Sequence, residues 1–329
     1  VDIVLAKGRH WPLVSLVLLG DGHGHFDRRY PVSDHPARSY TAALADLDGD
    51  GHLDLVIGND APDDKVIYFN DGRGHFTRAG TFGDPTWPTR NVTVADLNGD
   101  GRPDIVVANR GGLAGRTGNA VCLNDGHGHF PTCAIVSLES ASTIAVADMN
   151  GDGAADLVVP NRDGGQSYIY LNDGHGRFPT RKPFGPPHAA TRAIAVGDLD
   201  GDGRPDIVVG DERQGGAFIV FNRVTGLSDP VRIAEATDIP YAIVIADLNR
   251  DGQPDLVLGN ESTPAEVLLN QGKARSFTRI RLGDAGGAVY GLAVGDVDGD
   301  GWPDIVAARS GAPSLLFFND LKRTLAPGR

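Results

Sequence analysis

Four aspartates stand two, two and four residues apart in "DLDGDGHLD", as Asp46, Asp48, Asp50 and Asp54. Carboxylates that close repel one another unless a cation sits between them. On a tight loop the first, third and fifth side chains point inward and the glycine permits the turn; the seventh residue, His52, offers its carbonyl and the ninth a further carboxylate. Hard oxygen donors in that number on a flexible loop suit Ca2+ better than Mg2+. The absence of His or Cys side chains from the donor set argues against zinc.

The same loop returns at a period of 49 to 52 residues. Its further donor sets are Asp96, Asn98, Asp100, Arg102 and Asp104; Asp148, Asn150, Asp152, Ala154 and Asp156; Asp198, Asp200, Asp202, Arg204 and Asp206; Asp247, Asn249, Asp251, Gln253 and Asp255; and Asp296, Asp298, Asp300, Trp302 and Asp304, the seventh residue always acting through its backbone. Six recurrences in register are not what solvated acidic turns produce, because the donor positions repeat while the linkers drift. About six calcium sites are therefore expected. Asn98, Asn150 and Asn249 keep an oxygen but lower the charge, so those sites should bind more weakly, and Arg250 stands where the other loops have glycine. The loop is similar to the first half of an EF-hand loop, yet its twelfth position, where an EF-hand closes with Glu, is Ile57. A strand-loop-strand site results. A seventh copy is cut short: "VDIVLAK" at the start matches the second half of the unit, with Asp2 where Asp54 stands.

The formal charge of −13 has the same origin. The four acidic positions of six loops supply 21 of the 43 Asp and Glu residues, and six divalent cations would bring the balance to roughly −1. Such a charge disfavours nucleic acid, whose binding runs on clustered Lys and Arg. No apolar run approaches the ~20 residues of a membrane helix, so membrane insertion is not expected. Cys122 and Cys133 flank the turn of one hairpin at nearly matching distances, where a cross-strand disulfide is geometrically plausible. Such a bridge and the calcium loops lean toward a secreted or extracellular setting, with the cell surface or periplasm as variants, and toward a monomer.

The loops must be positioned by strands. In one unit "TAALAD" enters the acidic loop, "LDLVIGN" leaves it, "KVIYFN" precedes the turn "NDGRGHF" and "FTRAGTF" follows, four short β runs bounded by Gly, Asp or Asn. The middle runs are apolar throughout, which predicts burial on both faces. Units of about 50 residues with four strands, repeated seven times, predict an all-β, seven-bladed β-propeller with four-stranded antiparallel blades and calcium-binding loops. One domain over 1–329 is expected, with repeats beginning near 1, 39, 90, 142, 191, 241 and 290, and with residues 321–329 as a tail or closing strand. The loop, the "PDIVVAN" strand and the "YLNDGHGRF" hairpin resemble the FG-GAP or VCBS repeats of secreted bacterial proteins, related to integrin α-chain propellers. The resemblance implies a calcium-stabilised propeller. It fixes no ligand, because that family includes adhesion modules, lectin-like binders and some polysaccharide lyases.

Strand direction puts the non-repeating polar and aromatic residues at the end opposite the acidic loops. Arg9, His10, Trp11, Arg38, Trp87, Arg110, Arg162, Arg213, Tyr241 and Tyr290 are the candidates for binding a glycan or an extracellular protein. The same end also carries Arg116. Several of these arginines recur in register and have an equally good reading as scaffold contacts. The alternative is a polysaccharide lyase acting on a uronate by β-elimination, with His10, His188, Tyr241, Arg110 and Arg192 as candidate catalytic residues. The histidines of the "GDGHGHF" turns read as solvated hairpin residues rather than metal ligands.

Overall fold

The computed structural model describes residues 1–111 and 117–321, and Arg116 and most of the tail lie outside them. Each repeat folds as one antiparallel sheet whose strands follow chain order, giving seven blades of a β-propeller beside a two-residue ribbon, Asn222–Arg223 with Gly226–Leu227. Blade 2 is typical, with strands Ser39–Ala45, Asp54–Asn59, Lys65–Asn70 and Phe76–Phe82. These are the four runs expected from the sequence. Blades 1 and 7 contribute three strands each among the described residues. Blade 5 departs from the others because "NRVTGLSD" replaces the glycine-rich turn, and its outer strand shrinks to Val231–Arg232.

The second strands Asp54–Asn59, Asp104–Asn109, Asp206–Asp211 and Asp255–Asn260 are buried at every residue. Sequence alternation fails there for the reason anticipated: neighbouring sheets cover both faces.

The chain divides into two compact units, one of Ile3–Leu19 and Arg28–Ala190, the other of Val1–Asp2, Gly20–Asp27 and Thr191–Arg329. In the first, Leu47, Val56 and Ile67 of blade 2 share a core with Val92, Ile105 and Val107 of blade 3. Leu97 and Val106 of blade 3 pack with Ile144, Leu157 and Val159 of blade 4. In the second, Val208 and Ile219 of blade 5 meet Ile243, Leu256 and Leu258 of blade 6. Each core thus spans a pair of blades rather than filling one. Each such Leu, Ile or Val side chain contributes roughly 1.5–3 kcal/mol by leaving water.

Candidate functional site

The six acidic loops join the first and second strands of blades 2 to 7. Their shape is set by carboxylates that accept backbone N–H groups. Asp46, Asp96, Asp148, Asp198 and Asp296 each accept the N–H groups three and five residues on, at 2.7–3.0 Å. The fifth carboxylate takes the N–H of the seventh residue, as Asp50 does from His52 at 2.8 Å. Arg250 occupies its glycine's place with φ 59°, a left-handed conformation that an L residue adopts only at a cost. Its guanidinium carbon lies 5.5 Å from the Trp302 ring of the next loop.

The ninth aspartate does something that the sequence reading did not anticipate. Asp54, Asp104, Asp156, Asp206, Asp255 and Asp304 are buried. One oxygen of each accepts the N–H of the loop's second residue at 2.9–3.1 Å. The other accepts the N–H of an asparagine fifteen to twenty residues on, Asn70, Asn124, Asn172, Asn222, Asn270 or Asn319, at 2.8–2.9 Å. Burial, and the neighbouring loop carboxylates behind it, push Asp206 and Asp255 up to about 6 against the pull of those hydrogen bonds.

That asparagine then reaches backward. Within the first unit Asn124 Nδ2 donates to Leu47 O at 2.9 Å and Asn172 Nδ2 to Leu97 O at 2.7 Å. Within the second, Asn270 donates to Leu199 O at 3.0 Å and Asn319 to Leu248 O at 2.8 Å. Each amide clamps its hairpin to the acidic loop of the preceding blade. The signal was present as an Asn at near-constant distance after the ninth Asp.

The loops fall into two kinds. Carboxylate oxygens of Asp46, Asp48 and Asp50, of Asp198, Asp200 and Asp206, and of Asp296, Asp298 and Asp300 converge within 4.8 Å. In the other three, the amide of Asn98, Asn150 or Asn249 donates to Asp100, Asp152 or Asp251 at 3.0, 2.7 and 3.0 Å. The donor set fits a hard divalent cation, most directly where three carboxylates converge without an amide between them.

At the opposite strand ends, the first strands of blades 2, 3, 5, 6 and 7 share a register break at one position. The residues set out by it are Tyr40, Arg90, Arg192, Tyr241 and Tyr290, and such bulges re-aim side chains. In the first unit Arg9 and Arg90 lie over the Tyr40 ring at 4.6 and 4.3 Å, and Arg90 pairs with Asp60 at 2.6 Å. Arg38 pairs with Asp63 at 3.4 Å, and Arg110 and Arg162 approach Asp163 at 3.8 and 3.6 Å. Trp11 is 78% exposed beside exposed His10, whereas Trp87 packs against the core between blades 2 and 3. His188 is exposed.

In the second unit Arg192 pairs with Glu212 and lies 3.5 Å from the Tyr241 ring, which is 5.2 Å from that of Tyr290. The Tyr241 hydroxyl donates to Glu261. Burial, reinforced by that acceptor, raises the phenol above its ordinary value, which disfavours a tyrosinate base. Arg213 is exposed on the turn after Asp211, and Arg309 pairs with Asp284. The five candidate catalytic residues divide between the units, His10, Arg110 and His188 in one, Arg192 and Tyr241 in the other.

The turn histidines His25, His75 and His129 sit 3.1, 3.2 and 3.5 Å from Asp21, Asp71 and Asp125 of their own turns. Cys122 and Cys133 lie opposite one another in blade 3 and form a disulfide.

Comparison with curated protein sequences returns no significant match. Among solved structures the fold is similar to BBS1N in complex with ARL6DN, at 12% identity and TM-score 0.56 over 95% of this chain and 91% of that one. It is also similar to the puromycin hydrolase S511A mutant complexed with PGG, at 12% identity and TM-score 0.56 over 94% of this chain and 48% of that one. Such identities speak to the fold alone. The FG-GAP-like repeat family matches at residues 46–107, 97–159, 148–209 and 247–307, most of the chain. Acidic loop, buried second strand and asparagine hairpin thus recur as one unit, and the chain belongs to the FG-GAP-like repeat family.

Proposed function

We propose that this chain is a secreted, calcium-stabilised propeller module that binds a protein ligand at the strand ends opposite the acidic loops. The observation that carries this reading is the shared bulge. One fixed backbone position in five blades presents Tyr40, Arg90, Arg192, Tyr241 and Tyr290, side chains that differ while the scaffold repeats. Variable groups on an invariant frame are how a site is grafted onto a fold.

A protein segment of mixed charge suits these ends better than an acidic glycan. Arg38, Arg90, Arg192 and Arg309 already face a carboxylate, so a polyanion would have to displace those partners, at a cost in buried charge. Arg9 and Arg90 over Tyr40, and exposed Trp11, offer the Arg and aromatic anchors typical of protein interfaces. A propeller of the same fold, BBS1N, was crystallised in complex with ARL6DN. Calcium is supported by the converging carboxylates, and an oxidising compartment by the disulfide.

The test is binding of the calcium-loaded protein to parallel arrays of extracellular proteins and glycans. A protein partner should emerge whose affinity falls about tenfold or more, ~1.4 kcal/mol, in Trp11→Ala or Tyr290→Ala, with His127→Ala on the opposite turns unchanged. Binding to glycans alone, or a protein ligand indifferent to both substitutions, rejects the reading.

A further inference from the structure

Glu139 and Asp238 hold the same place in two blades. Each lies in the connector entering its blade, just before the residue whose carbonyl accepts an N–H from the loop after the second strand: Ser140 from Arg162 at 2.8 Å, Ile239 from Glu261 at 3.0 Å. Each also faces an arginine of its blade's outer strand, Arg181 in Thr180–Phe184 and Arg279 in Phe277–Leu282. In blade 4 both oxygens of Glu139 are answered. Arg181 Nη1 donates to Oε1 at 2.9 Å and the Tyr170 hydroxyl to Oε2 at 2.8 Å.

In blade 6 that hydroxyl is missing. Leu268 stands opposite Arg279 as Tyr170 stands opposite Arg181, and a second acid, Glu266, comes two residues earlier. Asp238 and Glu266 are both 0% exposed, and their carboxyls are within hydrogen-bond reach of each other. Arg279 lies 3.2 Å from Asp238 Oδ2 and 3.3 Å from Glu266 Oε1, and Arg281 lies 3.6 and 3.3 Å from the same two oxygens. Asp238 Oδ1 and Glu266 Oε2 are left buried with no hydrogen-bond partner; Arg279 comes within 3.2 Å of the latter without donating to it. Buried acceptors without a donor are costly. A proton on one of the two carboxyls makes it a donor to the other.

We propose that Asp238 and Glu266 share one proton in the folded chain, in a carboxyl-to-carboxylate hydrogen bond that clasps the 233–239 connector to blade 6 and makes this joint sensitive to pH. Arg279 completes the clasp by donating to Ile233 O at 3.3 Å. Among the described residues, the charged groups facing the pair are Arg279 and Arg281 of the outer strand. On the blade 5 side Arg232 is turned to Gly215 O and Ala234 O, and Glu235 of the connector is exposed. The adjoining core is apolar, with Ile219, Ile233, Ala234, Leu258 and Leu268. Burial, reinforced by Asp238, lifts the Glu266 carboxyl above its ordinary value against the pull of Arg279 and Arg281. Loss of the proton sets two buried negative charges side by side, so the connector loosens as pH rises. The proposal depends neither on the ligand nor on calcium.

Infrared difference spectra of the full chain at about pH 6, above the ~4 of exposed carboxyls, test it first. The chain should show the carbonyl band of a protonated carboxyl that Glu266→Gln and, separately, Asp238→Asn both lose, because the new amide donates to the carboxylate that remains. Both changes keep side-chain size, and circular dichroism verifies each fold. Urea unfolding against pH then reads the linkage. The folded pair keeps a proton that the unfolded chain releases, so above about pH 4.5 the unfolding constant should rise relative to Glu266→Gln by up to about tenfold per pH unit. Taking the difference from that variant cancels the loop aspartates common to both. Glu235→Gln, exposed on the same connector, should leave band and slope unchanged. Absence of the band, a band that survives both substitutions, or a stability difference independent of pH overturns the proposal.

Discussion

The loop at Asp46 and the loop at Asp96 share their backbone hydrogen bonds to the first and ninth aspartates and, among the side chains that could donate to a cation, differ at one position. In the first, Asp46, Asp48 and Asp50 crowd three carboxylates within 4.8 Å. In the second, Asn98 replaces the middle one and donates its amide to Asp100 at 3.0 Å. Both bend around a first aspartate that accepts two backbone N–H groups, and both rest on a buried ninth aspartate that accepts two more. The contrast separates two things that the motif fuses. The loop's shape comes from N–H to carboxylate hydrogen bonds in all six, while three carboxylates converge in three of them and an amide is interposed in the other three.

The most damaging substitutions should ignore that division. Asp104→Ala and Asp206→Ala each strand two backbone N–H groups at a buried site, and each should cost about 3–5 kcal/mol. Chemical denaturation should show similar losses in the two. A large gap between them would mean that the ninth aspartate is a metal group first and a scaffold group second.

Calcium should then resolve the two classes. At ten times its Kd a site adds ~1.4 kcal/mol, so the three Asp loops together are worth about 4 kcal/mol of the calcium-dependent stability. Combined Asp48→Ala, Asp200→Ala and Asp298→Ala should remove most of the rise in Tm on adding calcium to chelated protein. Asn98→Ala, Asn150→Ala and Asn249→Ala together should remove a minor share, and equal shares would erase the distinction.

Proton linkage gives a further, smaller handle. Because burial lifts Asp206 and Asp255 to about 6, above the ~4 of an unfolded chain, the metal-free folded state holds protons that the unfolded state has released. Stability of chelated protein should therefore fall as pH rises from about 4 to about 6. Bound calcium favours the carboxylate form and should flatten or reverse that slope, as urea midpoints at each pH would reveal. Converting one class into the other is subtler still. Asn98→Asp should tighten calcium at that loop by ~1 kcal/mol, about fivefold, by calorimetric titration. Arg250→Gly, relieving a left-handed arginine at φ 59°, should raise stability by less than ~1 kcal/mol.

The repeat, the four strands of blades 2 to 6 and the disulfide were legible in the sequence because they rest on local patterns: period, apolar runs, paired turn positions. The candidate residues at the other strand ends were legible only as a list. Arg90 and Arg192 looked alike in "TR" before a strand, and they are alike in occupying the same bulge. What the sequence could not supply is that Arg90 is answered by Asp60 of the neighbouring blade and Arg192 by Glu212 of its own. Partners of that kind depend on register and on which blade lies alongside, information that no single repeat contains. Trp87 shows the other side of the same gap: a tryptophan in a variable loop read as a ligand contact, and it also packs partly buried against the core between blades 2 and 3.

The asparagine that reaches back to the preceding blade has a consequence for how such chains can change. Its amide recognises a main-chain carbonyl, Leu47 O for Asn124 or Leu199 O for Asn270, and every amino acid brings one. The joint between neighbours is thus specified from one side only. A blade can be duplicated, replaced or allowed to drift at its surface without its predecessor having to coevolve a matching side chain, so a gene of this design can vary what it displays while inheriting its assembly rules intact.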